Sequence, residues 1–176
     1  MRSCGDCQLC CRLLPVRALA KEAGERCRHQ KFKVGCTVYR GAGFPVECGA
    51  WSCRWLVDDD AADLARPDRS HVVVDMMMDY VEARDDETGE VRRVPVVQVW
   101  VDPKYPDAHR DPGLRAYLNR RGAEGIATLI RYSSTVGFTL WPPSMSGGGW
   151  VQLSGQSSGR DHTADEIVNF LVGAER

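Results

Sequence analysis

The sequence predicts an α+β fold in two unequal parts: an irregular cysteine-rich N-terminal module packed on a small, mostly antiparallel sheet with two or three helices. Three observations predict it. All eight cysteines lie between positions 4 and 53, and none occurs in the 123 residues that follow. Beyond residue 70, runs of alternating apolar and polar residues have the period of strands. Proline and capping signals mark a few intervening helices. The change of texture places a boundary at residue 56, dividing a cysteine module, residues 1–56, from an α+β domain, residues 57–176.

The elements follow in chain order. Residues 1–56 hold eleven Leu, Val or Phe and no Ile, with Trp51, Trp55 and Tyr39 as the main aromatic bulk. A segment this small rarely stabilises itself by apolar burial alone, so irregular structure held by cross-links is expected. Asp58-Asp59-Asp60 then predicts a capped short helix through Leu64, ended by Pro67. From His71 the chain reads as a strand, with Val72, Val74, Met76, Met78 and Tyr80 on one face and Asp75 and Asp79 opposite. On this alternation Met76 and Met78 enter the core and Met77 faces away. Asp85 to Glu90 is a polar turn, and Val94 to Val101 returns as the second strand of a hairpin. Pro112 opens a helical stretch to about Arg131, weakened near Gly122 and Gly125. Thr135–Trp141 and Trp150–Leu153 read as two further strands around a Pro/Gly loop. Thr163-x-x-Glu166 is a capping box for a last helix through about Val172.

The chemistry is concentrated in the cysteines. The module opens with Cys4-x2-Cys7-x2-Cys10-Cys11 and continues with Cys27, Cys36, Cys48 and Cys53. Two residues between thiolates let a tight turn present both sulfurs to one tetrahedral ion. Cys10 and Cys11 are adjacent, so their side chains diverge and serve different metals, or one bridges or stays free. Eight ligands divide into two four-cysteine zinc sites, or into one iron–sulfur cluster with four thiols left over. The ferredoxin run Cys-x2-Cys-x2-Cys-x3-Cys-Pro is matched at its first three cysteines only. His29 is an additional candidate ligand, though a histidine in a basic loop is the simpler reading. Asp6 and Glu47 read as turn and surface residues.

Charge and composition limit the alternatives. The net charge of −1 divides into +6 for residues 1–56 and −7 for residues 57–176. A basic segment invites nucleic acid, but no recognition motif or alternating Arg/aromatic pattern accompanies it. Eight thiolates around two zinc ions would bring its charge to about +2, so the arginines balance anionic metal sites more simply. Nucleic acid is therefore disfavoured as a partner. No apolar run approaches the roughly 20 residues that span a bilayer. Arg2, Asp6, Arg12 and Arg17 interrupt any secretory signal, so a cytoplasmic location is expected, where disulfides are disfavoured and cysteines read better as metal ligands.

These residues carry a resemblance. Cys4-Gly-Asp-Cys7-Gln-Leu-Cys10-Cys11, then Gly35-Cys36-Thr-Val-Tyr39, then Cys48-x4-Cys53-Arg54-Trp55-Leu56 resembles the CxxCxxCC (YkgJ-like) cysteine-cluster family, bacterial proteins described as zinc- or iron-chelating. The similarity covers about the first third of the chain. It departs before Cys48, where the family often carries Arg-Pro and this chain has Gly43-Phe44-Pro45-Val46-Glu47. The resemblance implies metal binding by Cys4, Cys7, Cys10, Cys11, Cys27, Cys36, Cys48 and Cys53, and implies no particular reaction.

The expected function is metal binding by these eight thiolates, with zinc, two ions by count, in structural sites. The alternatives are an iron–sulfur redox protein and a metal chelation or delivery protein. The domain after residue 56 would then offer a surface or pocket to a protein or small molecule that the residues do not identify. No catalytic motif stands outside the cysteines. His71, His109 and His162 lie near Asp75, Asp107 and Asp161, but no nucleophile pattern accompanies them. The Met76-Met77-Met78 run reads as packing rather than a thioether metal site.

Overall fold

The computed structural model describes residues 2–85, 87–154, 165, 166 and 169. The N-terminal part is built of short pieces. A helix α1 (Leu9–Leu13) is followed by a two-stranded antiparallel hairpin, β1 (Gln30–Lys31) with β2 (Gly35–Cys36). Three helices of four or five residues come next, α2 (Val46–Ala50), α3 (Arg54–Val57) and α4 (Pro67–Ser70). None reaches the length at which a helix is stable by itself, so tertiary contacts must hold them.

The remainder is a five-stranded mixed sheet. Its strands are β3 (Val72–Arg84), β4 (Val91–Val101), β5 (Ala127–Arg131), β6 (Gly137–Trp141) and β7 (Val151–Ser154), adjacent in that order. β4 and β5 are parallel and the other neighbours antiparallel. The parallel pair requires a crossover, supplied by the helix α5 (Pro112–Ala123). Asp111 caps α5 by accepting from Leu114 N at 2.8 Å, and Pro112 occupies its first turn. A final one-turn helix, α6 (Pro143–Ser146), precedes β7.

Both faces of the sheet centre are covered. Leu114, Tyr117 and Leu118 of α5 pack with Val72, Val74, Val97, Val99, Val101 and Ile130 on one face. On the other, Val73 and Trp100 pack with Cys7, Leu9 and Leu13. Double coverage explains the unbroken apolar run of β4: from Val96 to Val101, Gln98 included, no residue is more than 3% exposed. The cysteine-bearing segment therefore shares a core with the sheet.

The α+β class holds, and three of the four pairings in the five-stranded sheet are antiparallel; among the described residues three helices, α4 to α6, begin beyond residue 56, as many as expected there, while α1 to α3 lie in the cysteine segment expected to be irregular. Asp58–Leu64 is turns, not a helix. Asp58 caps the end of α3 and its carboxylate accepts from Asp60 N at 2.9 Å, an Asx turn that competes with helix initiation. The stretch expected to be helical to Arg131 stops at Ala123. Gly125 turns the chain with φ 80°, and Ala127–Arg131 becomes the fully buried strand β5. A continuous apolar run has no period that separates buried strand from buried helix.

The methionine alternation also fails, for a specific reason. Val74 pairs with Val99 and Met78 with Val97, so three β3 residues stand opposite Gln98 alone. This bulge buries Met76 and Met77 together against Ala50 and Trp51, and leaves Met78 half-buried. The hairpin turn, β6 and β7 lie where expected, within one or two residues. The capping box at Thr163 and the helix through Val172 fall outside the described residues. Among the described residues, no helix is long and apolar enough to cross a membrane.

Candidate metal centre

Each cysteine is placed by a local device. Residues 4–7 form a turn in which Cys7 N donates to Cys4 O at 3.0 Å and the Cys4 thiol to Cys7 O at 3.6 Å. Gly5 has φ 52° there, the left-handed conformation that glycine adopts without strain. Cys10 and Cys11 ride on α1, whose Leu9 and Leu13 are buried against the sheet. Arg12 of the same helix is ion-paired with the buried Asp102 at the end of β4.

Cys27 lies alongside α1, its N–H donating to Cys11 O at 3.0 Å. The β1–β2 hairpin then brings Cys36 opposite Gln30, and the Gln30 side chain donates to Gln8 Oε1 at 2.8 Å. Cys48 is carried by α2 and Cys53 stands at the N-terminus of α3. The bulge in β3 positions this last segment. Cys53 bridges Asp75, Trp51 Nε1 donates to the Asp75 carboxylate at 2.8 Å, and Ser52 N donates to the Met76 sulfur at 3.0 Å.

The result is one cavity of about 810 Å³ whose wall includes all eight cysteines. Its floor is the sheet, through Asp75, Met77, Gln98 and Trp100. His29 and Glu47 also line it. Glu47 is half-buried, with one carboxylate oxygen buried and unbonded, so it is not the surface residue expected. Asp6 is an exposed partner of Arg66 at 2.9 Å, in keeping with a turn residue. The eight cysteines form no disulfide. Their sulfurs line a wall rather than close on a point: among the described residues, no three Cys, His, Asp or Glu side chains are gathered as a metal-ion site.

The electrostatics are those of crowded thiols. Burial pushes the Cys53 thiol up to about 11, with the neighbouring Cys4 and Cys7 adding to it. Burial pushes Cys48 up to about 12, and then Cys11, Cys27, Glu47 and Cys36 add to it. Cys10 and Cys11 share a hydrogen bond that raises Cys10 and lowers Cys11. The raised thiols, Cys10, Cys48 and Cys53, favour the protonated form, and a bound metal would reverse the effect by favouring the thiolate.

Two further groups suit an anionic metal–thiolate centre. Lys21 is 6% exposed beside Cys27 and Cys11, and its ammonium donates to Leu14 O. The Trp100 indole N–H is buried without a hydrogen-bond partner on the cavity floor. Such an N–H is a donor that a sulfur ligand would satisfy. In kind, therefore, the donors fit a soft metal: eight thiols line one cavity, with an unused N–H in its floor residue Trp100 and the Lys21 ammonium near Cys11 and Cys27.

Beneath the floor, Arg131 is 1% exposed, lies 4.0 Å over the Trp100 ring and donates to Gln98 Oε1 at 2.7 Å. Gln98 in turn donates to Asp79 at 3.3 Å. Sequence reasoning missed this polar chain, and the only signal for it was the single Gln and Arg inside apolar strands. Two other histidines make local contacts. His71 stacks on Tyr105 at 3.5 Å, and the His109 ring nitrogen is 2.8 Å from Pro106 O. His162 lies outside the described residues. Comparison of the chain with protein-family models, with curated proteins and with solved structures gives no match.

Proposed function

We propose that this chain is a metal–thiolate protein in which Cys4, Cys7, Cys10, Cys11, Cys27, Cys36, Cys48 and Cys53 hold metal, zinc in preference to iron, in closed structural sites. One observation carries the reading: eight cysteines from six separate local elements all line a single cavity. Scattered core cysteines would not be expected to converge in this way. The cysteine spacing, which resembles that of the CxxCxxCC family, is in keeping with this reading. Zinc would supply no redox chemistry here. Bound by four thiolates per ion, it would cross-link a segment too poor in apolar residues to fold alone. The sheet then serves as the platform on which the cross-linked module sits.

A second reading is favoured by Cys53, which packs in the same cluster as Cys7 and Cys10. Three cysteines at x2 spacing joined by a remote fourth is how a ferredoxin-type four-iron cluster is held. Elemental analysis with an ultraviolet–visible spectrum, on protein purified anaerobically without a metal-affinity tag, decides between them. Two zinc per chain and no visible band supports the first reading. Iron with labile sulfide and a broad visible band supports the second. Protein of native fold with neither metal overturns both.

A further inference from the structure

The β1–β2 hairpin ends in a tip that is both apolar and basic. β1 closes at Lys31 and β2 opens at Gly35, so Phe32, Lys33 and Val34 form the turn, in which Val34 N donates to Lys31 O at 3.0 Å. Phe32 is 75% exposed and Val34 63%. The base of the hairpin is fastened to Gln8, the residue before α1. Gln8 Nε2 donates to Lys31 O and Gln30 Nε2 donates to Gln8 Oε1, each at 2.8 Å. Two apolar side chains thus stand in water on a braced support.

The charge around them is of one sign. From Arg26 to Val46 the chain carries Arg26, Arg28, Lys31, Lys33 and Arg40, and no Asp or Glu. All five are exposed, and among the described residues none has an ion-pair partner. Unbalanced positive charge beside exposed apolar groups fits a partner that is anionic outside and apolar within. Single-stranded nucleic acid would use open aromatic faces on which bases stack. Here Lys33 Nζ stands over the Phe32 ring, 5.5 Å from its centroid, and the Arg40 guanidinium stands over Tyr39 at 5.3 Å. Val34 has no ring for a base to stack on. A lipid surface uses every one of these groups: apolar side chains enter the boundary between headgroups and acyl chains, while lysine ammonium groups reach the phosphates.

We propose that the hairpin tip is a peripheral contact with an anionic lipid surface. Phe32 and Val34 enter the headgroup boundary, Lys31 and Lys33 meet its phosphates, and the three arginines add longer-range attraction. The contact is with one leaflet and needs no spanning helix. It goes beyond the metal–thiolate reading and does not depend on what the cavity holds.

The test is co-sedimentation of the full chain with vesicles of phosphatidylcholine alone and of phosphatidylcholine mixed with phosphatidylglycerol. Binding is expected to the mixed, anionic vesicles only, and it should fall as salt rises. Lys31→Gln with Lys33→Gln should weaken it about 25-fold, roughly fivefold for each charge. Phe32→Ser should weaken it about tenfold or more through the loss of one buried aromatic side chain. All three positions are exposed, so the far-ultraviolet circular dichroism of both variants should match that of the parent chain. No binding of the folded parent chain to anionic vesicles, equal binding to neutral ones, or unchanged affinity in either variant overturns the proposal. Tighter binding to a single-stranded oligonucleotide than to the vesicles would assign the tip to nucleic acid and overturn it as well.

Discussion

The sheet and the cysteine segment bury their chains by different means. The sheet stacks Val, Ile and Leu against α5, with Tyr117, Leu118, Val99 and Ile130 fully buried. The N-terminal segment exposes Phe32, Val34, Tyr39 and Val46 by more than 60% each and groups its thiols around a cavity instead. One region is stabilised by apolar area, at about 25 cal/mol per Å². The other has little of that area beyond what α1 shares with the sheet, and cross-linking by a ligand is the means of order proposed for it.

The largest effect should come from removing metal. Structural zinc contributes on the order of 10 kcal/mol or more per site at neutral pH. A chelator titration followed by amide hydrogen exchange should expose residues 4–53 while β4 and β5 stay protected. Uniform exposure would show that the two regions do not differ in this way. A smaller effect, and its mirror image, is expected from Leu118→Ala in the α5 core. Loss of about 2–5 kcal/mol in denaturant unfolding should leave the metal content unchanged. Metal loss in that variant would mean the sites depend on the sheet core.

An alkaline transition tests the sheet side through Tyr117. Burial raises the Tyr117 phenol to about 12, above its ordinary value near 10. The folded state thus holds a proton that the unfolded state releases. Its contribution, on the order of 2 kcal/mol, is complete below pH about 10 and lost as pH rises toward 12. Tyr117→Phe should flatten this part of the stability–pH curve. An unchanged curve would refute the assignment. The smallest effect tests the junction. Trp51→Phe removes the N–H that reaches Asp75 and should cost about 1 kcal/mol. Denaturant unfolding reads this loss, and an unchanged midpoint would show that the Trp51–Asp75 contact does not anchor this segment to the sheet.

Legibility followed the range of the forces involved. Alternation and turn chemistry are local, so the hairpin β3–β4 and the positions of β6 and β7 could be read directly. The strand β5 was misread because full burial erases the periodic signal. The bulge at Asp75–Met77 could not be read either, since the partners that stabilise it, Trp51, Ser52 and Cys53, lie more than 20 residues away. Nor could Glu47, an ordinary surface residue by type, be assigned to the cavity wall.

By itself the sequence determined the α+β class and the confinement of all eight thiols to residues 4–53, because composition and helical or strand period act within a few residues; the expected divergence of Cys10 from Cys11 does not hold, since their thiols are hydrogen-bonded to each other. Only the tertiary structure decided that six separate elements turn their cysteines to one cavity, that its floor is the β3–β4 face, and that Cys53 packs with Cys7 and Cys10. Those neighbours are chosen by burial, bulge geometry and backbone pairing between distant segments, and spacing along the chain does not record such choices.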